Sequence, residues 1–247
     1  MSVVSPASRM EVSLVRTLIY TPVIHSSADL GSIGKDVAKR GRTNLGEDLW
    51  KVHARTVDGF WDAISKYFSA IDGAGLKVYQ DGMVADGEIG QMIVEEVLKT
   101  GSKNYEVIAD LLRKGAILMK TEDINLVKQE RDMIVKITQA GSTTKKLAGF
   151  LKYRFTKNRL LDERDRFIAG QVNDTLRDGE TGVLFIGAYH NVKDHLAPDI
   201  QCKDLKDLQR VREYHRLLPF YGRNKEKFEL LSKYLVAEVS DAPGLAT

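Results

Sequence analysis

The sequence predicts an α/β fold with a mainly parallel central sheet, flanking helices and a helical insertion in the middle of the chain, on three observations. Short β-branched and aromatic runs alternate with longer segments whose apolar residues recur every three or four positions. The run GVLFIG at 182–187 is apolar throughout and bounded by glycines, as expected of a central strand covered on both faces. Strands separated by helices need crossover connections, which make neighbouring strands parallel.

Residues 12–24 (VSLVRTLIYTPVI) read as a first strand, interrupted or ended at Pro22, with His25 directly after it. The small polar and glycine residues of 26–46 read as a long connection with one helical turn near 35–39. In 47–71, Leu49, Val52, Val57, Trp61, Ile64 and Phe68 mark an amphipathic helix that Asp72-Gly73 stops. LKVYQ at 76–80 alternates as a short strand and runs into Asp81-Gly82. Helices are then expected over 89–100, 104–114, 121–140 and 144–176, with Glu122 and Asp123 near the positive end of the third. After GVLFIG, a strand is read at 199–203 and a closing helix at 225–239. The whole chain, 1–247, reads as a single α/β domain with a helical insertion or sub-lobe at approximately 88–160 and a frayed tail at 240–247.

Composition narrows the function classes. The chain has 37 basic and 34 acidic residues, a net charge of +3, so its overall electrostatics do not call for nucleic acid or an anionic membrane. The lone Cys202 rules out an internal disulfide and a thiolate zinc knuckle. No apolar run reaches the ~20 residues of a membrane span, and residues 1–10 lack the apolar core expected of a signal peptide. A cytoplasmic protein is expected. Its partners are read as a small-molecule or peptide substrate, with a homo-oligomer left open.

Ligands of parallel sheets gather at the strands' C-terminal ends. His25, Asp81 and His190 each follow a strand, so they converge if those strands are neighbours. Two imidazoles and a carboxylate are donors suited to a zinc, manganese or iron site with room for water. Asp86 and Glu88 are alternative acidic ligands. Without metal, a histidine can act as general base, and the bland alternative is a pair of histidines that hydrogen-bond at loop entrances. Arg164 in LLDERDRFIAGQV lies three residues after Leu161 and four before Ile168, on the apolar side of its helix. An unpaired guanidinium there would cost on the order of several kcal/mol, so a partner such as Asp81 or a substrate anion is expected. Its neighbours Glu163 and Asp165 are expected to be more exposed. Tyr189 and His195 complete the substrate-facing set. DLGSIGKD at 29–36 lacks the phosphate-loop spacing, and there is no G-x-S-x-G elbow or H-E-x-x-H helix. The basic run Lys145, Lys146, Lys152, Arg154, Lys157 and Arg159 could face nucleic acid, though a solvated helix face explains it equally.

GAYH at 187–190 and ERDRFIAGQV at 163–172 together resemble the late motif and arginine-bearing helix of the TraB/TIKI family, within the erythromycin esterase/ChaN-like superfamily. PVIH at 22–25 stands where that family has an early G-x-x-H motif, without the glycine, and Asp81 stands near a family glutamate. The resemblance implies an α/β fold and, in some branches, metal-dependent peptidase activity; other branches resemble metal-free esterases or binding proteins. The leading expectation is a hydrolase, peptidase or esterase, in which His25, Asp81 and His190 position a divalent metal or water and Arg164 orients the carboxylate or stabilises developing charge. The alternatives are a non-catalytic ligand- or protein-binding domain and a nucleic-acid-binding module through the 145–159 helix.

Overall fold

The computed structural model describes residues 15–26, 28–29, 34–138 and 142–239; the side chains at 34, 35, 37, 130, 131, 133, 134, 136–138 and 143–155 lie outside that description. Five strands, β1 (Arg16–Val23), β2 (Lys77–Gln80), β3 (Ile117–Met119), β4 (Thr181–Gly187) and β5 (Ile200–Asp204), form one all-parallel sheet in the order β3-β2-β4-β1-β5. Around it lie α1 (Gly34–Leu45), α2 (Glu47–Ser69), α3 (Gly87–Leu98), α4 (Lys103–Arg113), α5 (Ile124–Thr138), α6 (Thr143–Thr175), α7 (Leu208–Leu217) and α8 (Lys225–Val236). The predicted α/β class is therefore the observed one.

Strand alternation builds two cores. Ile19, Val78, Val183 and Phe185 turn to one face, where they meet Phe60, Trp61 and Ile64 of α2, Ile108 and Leu111 of α4, and Phe228 of α8. Leu18, Tyr20, Tyr79, Leu184 and Ile186 turn to the other, against Ile168, Ala169 and Val172 at the C-terminal end of α6 and Leu176 just after it. Each such large apolar side chain taken fully out of water contributes roughly 1.5–3 kcal/mol. Gly182 is required by this packing, because a Cβ there would lie 2.9 Å from the Tyr79 ring.

The connection leaving β2 turns outward to β3, while that leaving β4 passes over β1 to β5. The two diverge, and such divergence opens a crevice above the C-terminal ends of adjacent strands. Asp81 and His190 follow the two strands at this point.

Four local readings are corrected by the coordinates. The stretch 88–160, expected to be helical, contains β3, whose three residues are too few to show a period of two. The connection at 26–46 contains the three-turn helix α1 instead of one turn. Of the two readings at Pro22, interruption is not seen: Pro22 pairs in register with Ile186, and β1 ends one residue later, at Val23. No element is predicted for 204–224, yet α7 forms there, with Asp207 capping the amide of Arg210 at 3.0 Å and Val211, Tyr214 and Leu217 on its buried face. The tail at 240–247 and residues 12–14 lie outside the described residues.

Candidate functional site

The tight turn after β4 fixes the central side chain. The His190 amide donates to the Gly187 carbonyl at 3.0 Å, which folds 187–190 back and leaves His190 6% exposed. Arg212 of α7 pins the turn from behind, donating from Nε to the Ala188 carbonyl at 2.6 Å and from Nη2 to the His190 carbonyl at 3.0 Å. Gly187 has no left-handed backbone conformation; what it provides is space. A Cβ on Gly187 would lie 3.2 Å from Asp81 Oδ2, 3.4 Å from His190 Cδ2 and 3.7 Å from His25 Nε2. The three residues singled out from the sequence therefore surround one point above the strand ends.

His190 stands between two carboxylates. Its Nδ1 is 2.5 Å from Asp165 Oδ1, and its Nε2 is 3.4 Å from Asp81 Oδ2. Asp165 is buried in α6 and also accepts the Asn191 amide at 2.8 Å, so it is fixed on both oxygens. Asp81 accepts the Gly187 amide at 3.2 Å and Arg164 Nη2 at 2.9 Å. Arg164 in turn holds Glu122, wholly buried just after β3, through Nε at 3.1 Å to both oxygens and Nη2 at 2.5 Å. Burial opposes the charging of each group; the partners prevail at Asp81 and His190, and burial prevails at Glu122. Burial by itself would raise Asp81, but His190, Arg164 and His25 hold it below the usual carboxylate range. Burial by itself would lower His190, but the Asp165 hydrogen bond and the Asp81 charge raise it above the usual histidine value. Glu122 is pushed upward by burial against the pull of Arg164.

His25, Asp81, Arg164, Asp165 and His190 border a cavity of about 960 Å³, with Glu122 behind them. Tyr189 stands exposed at its mouth, its ring stacked on His215 with centroids 6.1 Å apart. His195 lines the cavity beside Asp162, at 3.3 Å. Lys157 and Asn158 add polar groups from α6. All the main sequence candidates, His25, Asp81, Arg164, Tyr189, His190 and His195, thus border one space. Asp86 and Glu88 do not: both are exposed around the start of α3, where the chain has already turned away. Of the basic run, the side chains at Lys145, Lys146, Lys152 and Arg154 lie outside the described residues, and Arg159 faces Glu163 at 3.6 Å.

Three participants escape the sequence reading. Asp165 is buried, not exposed as expected: it lies four residues after Leu161 and three before Ile168, so the spacing that drew attention to Arg164 places Asp165 more squarely on the stripe. Glu122 is a core residue instead of a helix-end charge, because β3 carries the chain inward before it. His215 belongs to α7, an element without a sequence signal strong enough to be assigned.

The resemblance implies a divalent metal, and the donors present bear on whether one fits. Both oxygens of Asp81 already accept hydrogen bonds, one from a guanidinium, and among the described residues no group of three or more His, Cys, Asp or Glu side chains is arranged to hold a metal ion. As arranged, the donor set does not fit a cation. No described helix is long and apolar enough to cross a membrane. Comparison with family models, with curated proteins and with solved structures finds no match to this chain.

Proposed function

We propose that the chain is a histidine-assisted hydrolase of ester or amide bonds, acting in the cavity at the end of β4. The observation that carries this is the imidazole of His190, held through Nδ1 by a buried carboxylate at 2.5 Å, with Nε2 3.4 Å from Asp81, in a residue that lines the cavity. A carboxylate on one ring nitrogen fixes the tautomer and orientation and makes the other nitrogen a better proton acceptor. In the reaction, His190 Nε2 takes a proton from water as the water oxygen bonds to the substrate carbonyl carbon. The imidazolium so formed is stabilised by Asp165 and Asp81 and returns the proton to the departing alcohol or amine as that bond breaks. Arg164 is engaged by Asp81 and Glu122, which makes it a positioning residue: it holds Asp81 against the ring. His25 and His195 are placed to donate hydrogen bonds to the substrate, and Tyr189 to cover it. The resemblance of GAYH and ERDRFIAGQV is to the TraB/TIKI family, within a superfamily of which some branches resemble metal-free esterases, and it is compatible with this reading.

A second reading, a ligand-binding domain without turnover, is favoured by the mutual pairing of Asp81, Arg164 and Glu122, which satisfies the site without any substrate. Turnover of p-nitrophenyl esters and amino-acid p-nitroanilides separates the two. Hydrolysis is expected to persist in chelator and to fall about 10²–10⁴-fold in His190→Ala, the usual contribution of a general base. Equal rates in the wild type and His190→Ala would defeat the proposal, and rates abolished by chelator would restore a metal such as zinc, manganese or iron to the mechanism.

A further inference from the structure

The chain has five histidines, and three of them are engaged through a ring nitrogen. His190 holds Asp165, His195 lies 3.3 Å from Asp162, and His53 lies 2.9 Å from the Tyr214 hydroxyl. Among the described residues neither His25 nor His215 has such a partner, and both line the cavity that His190 lines. A half-buried imidazole without a protein partner is open to one brought by a ligand. The His215 ring is nevertheless held in place. Tyr189 stacks on it with centroids 6.1 Å apart and planes 25° apart, and Tyr214 lies tilted beside it at 6.0 Å. Aromatic neighbours fix the plane of the ring without occupying its nitrogens. Burial, with the like charge of His53 and His25, lowers His215 to about 4, so near neutral pH the ring has one N–H donor and one acceptor. The addition of water to a carbonyl gathers negative charge on the carbonyl oxygen, and a fixed donor aimed at that oxygen lowers the barrier. The guanidinium of Arg164 is already engaged by Asp81 and Glu122.

The geometry points to His215 as a further catalytic residue, whose N–H donates to the carbonyl oxygen of the ester or amide and holds the charge that develops there. The inference rests on the hydrolase reading. No bond to His215 forms or breaks, and the proton taken from water stays on the route through His190. His215→Phe keeps the aromatic stack and removes both nitrogens, while His215→Gln keeps a side-chain N–H. With p-nitrophenyl esters, kcat is expected to fall about 10²–10³-fold in His215→Phe with little change in KM, the usual loss of one oxyanion donor, and to recover in part in His215→Gln. Trifluoroacetophenone, whose hydrate in water is a neutral tetrahedral mimic, is expected to shift the imidazole nitrogens of His215 and to bind about tenfold more weakly to His215→Phe. Wild-type kcat in a folded His215→Phe, or equal losses in the Phe and Gln variants, would overturn the inference and leave His190 as the base. A chain that hydrolyses no ester, or does so equally well in His190→Ala, defeats the hydrolase reading alone, and the mimic then decides the role of His215. Absence of binding, or nitrogen shifts in the wild type that leave His215 unmoved, overturns the inference whatever the variants do.

Discussion

His190 and His215 line the same cavity, yet their surroundings drive their protons in opposite directions. Burial depresses His215 to about 4, with His53 and His25 adding like charge, and His53 is likewise lowered to about 4, its Nδ1 resting 2.9 Å from the Tyr214 hydroxyl. His190 is buried where His215 is half-buried, and it is raised instead. The difference lies in what the enclosure contains: aromatic rings and a phenol around His53 and His215, two carboxylates around His190. Burial sets how much a partner matters, and the partner sets the sign.

The change expected to break this contrast most severely is Arg164→Ala. It leaves Asp81 and Glu122 buried near one another without their guanidinium, and breaking a buried ion pair by removing one partner costs about 3–5 kcal/mol. Urea unfolding should show that loss; a change below ~1 kcal/mol would mean that the carboxylates are not held by Arg164 in solution.

Asp165→Asn sharpens the contrast without emptying space. His190 should titrate above the ordinary histidine value of 6.5 in the wild type and fall toward His53 and His215 in the variant, as followed by imidazole NMR. The raised value has a consequence for stability. A proton bound more tightly in the folded state stabilises it in full below 6.5 and ceases to do so as pH rises through the raised value. The stability gap between the wild type and His190→Gln should therefore narrow on going upward from about pH 6.5, by at most about 1.4 kcal/mol per pH unit. Asp81 runs the other way: its contribution is present above 3.8 and is lost as pH falls through its lowered value. A gap that widened with pH would contradict the arrangement of carboxylates around His190.

How much of this was legible beforehand differs between the two histidine environments. His25, Asp81 and His190 could be placed because each follows a run whose composition announces a strand, and parallel topology then does the rest. Asp165 was legible in principle, since a three-and-four residue spacing points to it as well as to Arg164; the polarity of ERDR masks the stripe. Glu122 and His215 were not legible, because their positions depend on a three-residue strand and on a helix whose apolar positions are diluted by arginines, so that only tertiary contacts define either element.

Gly187→Ala probes the crowding itself. The added methyl would meet Asp81 Oδ2 at 3.2 Å and His190 Cδ2 at 3.4 Å in a backbone conformation that alanine tolerates, so the side chains must give by a few tenths of an ångström. A loss of about 1 kcal/mol in stability is expected, together with a displaced His190 titration. A variant with wild-type titration would show that the groups are further apart in solution.

The smallest effect is expected from Asp86→Ala and Glu88→Ala, and it is informative because these residues compete with Asp81 for the acidic role when only the sequence is considered. Both are exposed, and Asp86 at the start of α3 makes no side-chain capping hydrogen bond, so neither substitution removes a partner. Stability should stay within about 0.5 kcal/mol of the wild type, the range of surface changes that touch nothing. The His190 titration should not move, because the charge that raises it belongs to Asp165 and Asp81. A shifted His190 in either variant would mean that the loop after β2 closes over the cavity in solution and brings a third carboxylate to the ring, which would also reopen the question of a cation there.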